Sequence, residues 1–192
     1  MISTPLTRRQ SLLGAAAGAA LAPFARARAA AAAEGGPVIL TIGGLVGAPN
    51  RGPSDPNRDR LFDHNNLNFQ KARSFSAGEL ANLPSQMVNA NIYGTQVLAE
   101  GPRLRDILAA VEPSGAATTA RLFALDSYGA EIALADIQRQ SWILAMEADG
   151  RAFAIGDFGP LFAMRQLGPD EKKTAEEEAK WVHSLYYIEL AS

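Results

Sequence analysis

His64 and His183 are the only histidines in the 192-residue chain, and it contains no cysteine. A two-histidine metal site would need both rings plus carboxylates, and the two lie far apart in sequence. His183 falls in a segment that reads as a strand, where a structural or surface role fits better than a ligand's. The lack of cysteine excludes a disulfide framework, a thiolate zinc site, an iron–sulfur cluster and a cysteine nucleophile. Asp55-Pro56-Asn57-Arg58-Asp59 has the spacing that opens a calcium loop. Such a loop calls for glycine at position 60 and glutamate at position 66, and this chain has Arg60 and Asn66. The segment therefore reads as a solvated loop whose Asx side chains bond their own backbone. No G-x-S-x-G elbow, G-x-x-x-x-G-K-S/T phosphate loop, G-x-G-x-x-G or H-E-x-x-H is present.

The elements that would position a site are short. Hydrophobic content of 47% with 20% charged residues is that of an ordinary globular domain. Val38 to Ile42 is a β-rich run ended by Gly43-Gly44, and residues 47–68 read as a polar loop. Ser76-Ala77-Gly78-Glu79 has the capping-box pattern, which predicts a helix to about Leu83, before Pro84. Met87 to Tyr93 and Gln96 to Ala99 read as strands around Gly94. Arg103 to Val111 has helical apolar spacing with Arg103 and Arg105 on its exposed side. Thr118 to Leu125 and Ala130 to Leu134 read as strands, and Ala135 to Gln140 as a short helix. Trp142 to Met146 is an apolar strand, with an Asp149-Gly150 turn before a strand at Phe153 to Ile155. Leu161 to Leu167 and Val182 to Leu190 are further strands. Residues 168–180 are charged and read as a solvated excursion, with Glu176-Glu177-Glu178 on an exposed helix face. This is an α+β fold with a mostly antiparallel or mixed sheet or barrel and short helices.

The first 33 residues hold four arginines and no acid, so the remainder carries 14 basic against 20 acidic residues. An acidic remainder is a poor match for nucleic acid. Arg8-Arg9, a weakly apolar run to about Phe24 and small residues to Ala33 have the layout of an export signal, here of twin-arginine type. An ordinary secretory signal with two chance arginines is the alternative. The apolar run is shorter than the roughly 20 residues a bilayer needs. The expectation is a cleaved leader at 1–33 and a periplasmic domain at 34–192 that does not insert into the membrane.

Five segments in order form a recognisable series. Gly101 to Leu108 (GPRLRDIL) resembles the "GxxLRDLL" segment of the molybdopterin-binding domain of sulfite-oxidase-type oxidoreductases. Phe75 to Pro84 fits that family's "FTxxDLxxLP" helix. Asp126-Ser127-Tyr128-Gly129 through Leu134 looks like its "DGYxxxxPL" stretch. Ile143-Leu144-Ala145, Asp149-Gly150 and Gly159-Pro160-Leu161 resemble "LLA…NGxPL…GxPLR". Lys180-Trp181-Val182 with Ile188-Glu189-Leu190 looks like the closing "KWVxxIEV". The resemblance covers roughly residues 37–190 and implies a sulfite-oxidase-type fold.

The departures carry as much weight. The family's enzymes hold molybdenum through a cysteine on the strand after the "LP" helix; here that position falls at about Asn91 or Ile92, and neither offers a soft anionic ligand. Phe162 stands where the family has arginine, with Arg165 three residues on. The chain resembles the short, exported, cysteine-less members, some of which are associated with a free pterin and membrane signalling proteins. The resemblance thus implies a pterin cofactor, with thiolate-ligated molybdenum in doubt, and a membrane signalling or redox partner. The alternative is a molybdopterin oxidoreductase without the usual cysteine. A pterin needs an aromatic or guanidinium face and polar groups on its amide-like edge. Asn91, Tyr93, Asp126, Tyr128, Asp157, Arg165, Lys180 and Trp181 are the candidates for that role. Competing readings stay open: Trp181 as core, Tyr128 as sheet packing, Asp126 as a turn cap, and Asn65 and Asn66 as plain loop.

Overall fold

A computed structural model describes residues 35–192, and the expected leader at 1–33 lies outside them. In chain order, β1 (Val38–Gly44), α1 (Arg60–His64), β2 (Ala72–Ser76) and α2 (Ala77–Ala81) lead into a long hairpin of β3 (Ser85–Ile92) and β4 (Thr95–Pro102). Helix α3 (Leu104–Val111) follows, then β5 (Thr119–Ala124), β6 (Gly129–Ala133) and α4 (Leu134–Arg139). The last part holds β7 (Trp142–Ala145), β8 (Glu147–Ala148), β9 (Arg151–Ala152), β10 (Phe162–Arg165), α5 (Ala175–Glu178) and β11 (Leu185–Ala191).

Three sheets result. The largest runs β2-β1-β11-β5-β6, with β1 and β11 parallel and the other pairs antiparallel. The second runs β3-β4-β8-β9, and β10 pairs with β7 alone. Alternation explains the half-buried strands: in β3, Val88, Ala90 and Ile92 point inward while Met87 and Asn89 face solvent. Strands β7 and β10 are buried throughout, which matches the unbroken apolar run of β7 and that of β10 up to Arg165, whose charge is paired. Helix α3 buries Leu104, Ile107, Leu108 and Val111, the i, i+3, i+4, i+7 stripe. Each such side chain contributes about 1.5–3 kcal/mol of transfer free energy.

The capping box is present as expected. Ser76 Oγ accepts from the Glu79 amide at 3.2 Å, and Glu79 Oε2 accepts from the Ser76 amide at 2.7 Å. A slip in register between Leu185 and Tyr187 puts both Tyr186 and Tyr187 among Phe62, Phe69 and Leu67. That second apolar cluster explains why α1 forms within a segment that reads as plain loop: it carries Phe62 onto the tyrosines.

The structure corrects four expectations. Asp149-Gly150 is a hairpin turn, but the strands beside it are Glu147–Ala148 and Arg151–Ala152 rather than Phe153 to Ile155. Phe153 and Phe158 instead pack edge to face, which takes this stretch out of the ladder. His183 lies before β11 rather than in it, because Ser184 has φ of 52°, incompatible with an extended strand. Residues 168–180 are largely exposed, as expected, but they are not a free excursion, since Glu171 and Lys173 tie them to β10 and to the tip of the β3–β4 hairpin. Glu177 accordingly is not on an exposed face, its side chain being only 12% accessible.

Candidate functional site

Four loops and strand ends meet at one place. The β3–β4 hairpin turns on Tyr93-Gly94, with φ of 48° and 86°, the left-handed pair that a two-residue hairpin requires. Asn91 Oδ1 accepts from the Gly94 amide and braces the turn. Tyr93 stands 72% exposed at its tip and stacks on Phe158, ring centroids 6.1 Å apart. In the β5–β6 turn, Asp126 Oδ1 accepts from the Tyr128 amide at 3.0 Å, and Ser127 has φ of 68°. The Tyr128 hydroxyl donates to the Ala179 carbonyl at 2.7 Å. Trp181 and His183 come from the segment before β11, and Phe162 opens β10. Phe162 lies edge-on to both, at 6.4 Å from Trp181 and 6.0 Å from His183.

The fourth wall is the strap of residues 166–180. It contributes Lys173, Ala175, Glu178 and Ala179 to a cleft of about 380 Å³ that is also lined by Ile92, Tyr93, Asp126, Tyr128, Phe162, Trp181 and His183. That volume is typical of a small-molecule pocket. Four aromatic side chains, Tyr93, Tyr128, Phe162 and Trp181, line it, with two carboxylates, one ammonium and one imidazole beside them. Non-glycine residues at positive φ flank it at Tyr93, Ser127 and Ser184. Such backbone costs of order 1–3 kcal/mol each and persists where surrounding contacts enforce it.

The strap is held from below by Arg165. Its guanidinium donates to both oxygens of Glu177, at 2.7 and 3.1 Å, and to both of Glu171, at 2.8 and 3.1 Å. Trp181 Nε1 donates to the same Glu177, at 3.0 Å. The hydrogen bonds from Arg165, with one from the Gly168 amide, hold the Glu171 carboxyl down to about 2 against an ordinary 4.5. A carboxyl depressed in the folded state contributes stability that is complete above its unfolded pKa and is lost as pH falls through the folded one. Trp181 fluorescence should therefore be flat above pH 4.5 and report strap release between pH 4.5 and about 2. In Glu171→Gln this component should be missing; an unchanged acid profile in that variant would contradict the assignment.

Of the eight residues expected from sequence, Tyr93, Asp126, Tyr128 and Trp181 come together in the cleft. The open readings resolve in a mixed way: Asp126 both caps its turn and lines the cleft, Trp181 is 6% exposed and still lines it, and Tyr128 at 43% exposure does not pack the sheet. Asn91 stands behind the wall, its carboxamide used by Gly94 and its carbonyl by Lys173. Arg165 lies under the strap, committed to two glutamates, and lines a separate shallow surface with Arg139. Asp157 accepts from the Ala154 and Gly159 amides and braces its own loop. Lys180 pairs with Glu176 at 3.4 Å on the outer side. Asn65 accepts from Ser127 Oγ at 2.7 Å, supporting the β5–β6 turn from outside. Sequence reasoning missed Lys173, Glu178 and His183; the first two sit in a charged stretch whose composition alone points to solvent. Among the described residues no group of three or more His, Asp or Glu side chains is placed to hold a metal ion.

No family model matches the chain, and no curated protein matches it. Among solved structures, the chain is similar to one chain of the crystal structure of the sulfane dehydrogenase SoxCD from Paracoccus pantotrophus, with a TM-score of 0.53 at 15% sequence identity. The match covers 79% of this chain and 37% of that one, so this protein spans little more than a third of its neighbour's length. The likeness is one of fold. It agrees with the sulfite-oxidase-type α+β architecture that the motif series implies.

Proposed function

We propose that this chain is an exported pterin-binding domain of sulfite-oxidase-type fold, one that holds a free pterin without redox catalysis and reports its occupancy to a membrane signalling partner. The observation that carries this reading is the cleft: aromatic surface from Tyr93, Tyr128 and Trp181 beside the carboxylates of Asp126 and Glu178. A pterin fits that set. A flat ring stacks on the aromatics, and its amino and ring N–H groups donate to carboxylates that are the natural acceptors for them. His183 at the same wall supplies a further polar contact to the ring's edge.

Thiolate-ligated molybdenum does not fit the donors. The chain has no cysteine. At the end of β3, where the resemblance puts that ligand, the Asn91 carboxamide is spent on the hairpin turn and Ile92 is apolar and 5% exposed. The export route and the signalling partner rest on the leader-like residues 1–33 and on the resemblance to short exported members. That the neighbour is a dehydrogenase supports only the fold on which the reading is built.

Titration with neopterin and 7,8-dihydroneopterin, read as melting temperature and as quenching of Trp181, tests the reading. At a hundredfold excess over Kd, binding adds about 2.7 kcal/mol and raises the melting temperature by about 5–10 °C. Asp126→Asn should weaken binding about tenfold or more, since it removes a charged acceptor. A melting temperature unmoved by both pterins overturns the proposal. Molybdenum copurifying at one per chain from a host that makes the cofactor would favour the oxidoreductase reading instead.

A further inference from the structure

We propose that Lys173 is a built-in plug of the cleft, an ammonium that holds the Trp181 face and has to leave it before a flat ligand can stack there. Lys173 Nζ lies 4.9 Å from the centroid of the Trp181 ring, within cation–π range. It is fixed in that place from two sides. It donates to the Asn91 carbonyl at 2.8 Å and to Glu178 Oε1 at 2.7 Å. Its side chain is only 16% accessible, unlike an ordinary surface lysine. The rest of Trp181 is already committed, with its ring edge-on to Phe162 and its N–H on Glu177. The face under Lys173 is therefore the part of the indole that a ligand in this cleft could use.

The strap that carries Lys173 is suited to give way. Helix α5 buries none of its residues, so little apolar surface resists its movement. Its anchor at Arg165 grips Glu171 and Glu177 but neither Lys173 nor Glu178, so the lysine can be released while the strap stays attached. Release has a second effect. Glu178 loses its cation and becomes a free carboxylate at the cleft wall, and a ligand rich in N–H donors can take the ammonium's place. A flat apolar ring could displace Lys173 from the indole but would leave Glu178 unpaired. A donor-rich ion without an aromatic face would leave the indole uncovered. The exchange thus selects ligands with both properties. This deepens, and rests on, the pterin reading.

Lys173→Ala tests the plug in the full-length protein, with Lys172→Ala as the control for lost charge on the exposed neighbour. Removing the plug should tighten neopterin binding by about tenfold, the order of one partly desolvated cation–π contact. It should also raise acrylamide quenching of tryptophan in protein prepared without pterin. That signal reports Trp181, because the only other tryptophan, Trp142, is 2% exposed. Weaker or unchanged neopterin binding in Lys173→Ala, against a wild type that binds, overturns the plug and makes the lysine a ligand contact or a bystander. If neither protein binds neopterin or 7,8-dihydroneopterin, the pterin reading fails. The plug is then judged on quenching alone: a value equal to that of Lys172→Ala overturns it, and a clear rise above that control supports it.

Discussion

Arg165→Met should lower the melting temperature by about 6–12 °C, corresponding to about 3 kcal/mol. The side chain of Arg165 is 8% accessible and forks onto two glutamates, and one of them, Glu177, is itself 12% accessible. Methionine keeps most of the aliphatic stem, so little packing is lost. What remains is the Glu177 carboxylate, largely buried and without its cation, and removing one partner of such a pair is the costly case. Glu171 contributes less, being half exposed. An exposed ion pair would be worth about 0–1 kcal/mol and the melt would barely move. Circular dichroism melts decide between these. The double variant Arg165→Met/Glu177→Gln should recover a large part of the loss, because it removes the stranded charge. A drop under about 3 °C in the single variant would show that the strap's anchor is an ordinary surface pair.

Gly101→Ala should cost about 3 kcal/mol or more and leave little folded protein at 37 °C. Gly101 lies where β4 crosses β7. A Cβ built there overlaps the Leu144 carbonyl oxygen and sits 2.7 Å from the Ala145 Cα. Both obstacles are backbone in a strand buried on both faces, so neither can move aside as a flexible side chain would. The measurement is soluble yield together with a urea melt of whatever is recovered. Gly115→Ala, where a Cβ meets nothing within 4 Å, serves as the comparison and should be close to neutral. A stable Gly101→Ala protein would mean that β4 and β7 can separate at little cost. The same contact gives a physical reason for glycine at the head of the Gly101-Pro102-Arg103-Leu104 segment, which sequence inspection can only match to a pattern.

How far the sequence could be read depends on the range over which each signal acts. The Ser76–Glu79 capping box, the α3 stripe and the turns at Gly94 and at Asp149-Gly150 are local, and the structure shows all of them, with Tyr93, read as strand, joining Gly94 in the turn. The motif order carried the fold. The strap was misread because its meaning is non-local. Asp170 to Lys180 is charged in composition, and only the position of Arg165, buried beneath it, converts Glu171 and Glu177 from solvated groups into anchors. Lys173 escaped for the same reason, since nothing in its neighbours announces Trp181 as a partner. Asp157 and Arg165, in contrast, were sound as chemistry and are placed elsewhere by topology. An aspartate whose oxygen receives two nearby amides is a turn brace, and that is decided by loop geometry rather than residue type.

The parallel pairing of β1 with β11 bears on how the chain reaches its shape. Strand β11 lies between β1 and β5, so the five-stranded sheet is split into halves until residues 185–191 arrive. A nascent chain leaving the ribosome can form the β3–β4 hairpin and α3 early, because their contacts are close in sequence. The large sheet has to wait until residues 185–191 have been synthesised. A stalled or shortened product ending before Leu185 would expose the facing edges of β1 and β5, both lined with apolar residues. Such a product should be recognised by chaperones and proteases as unfinished, which makes the seven-residue strand β11 the piece on which closure of the large sheet depends.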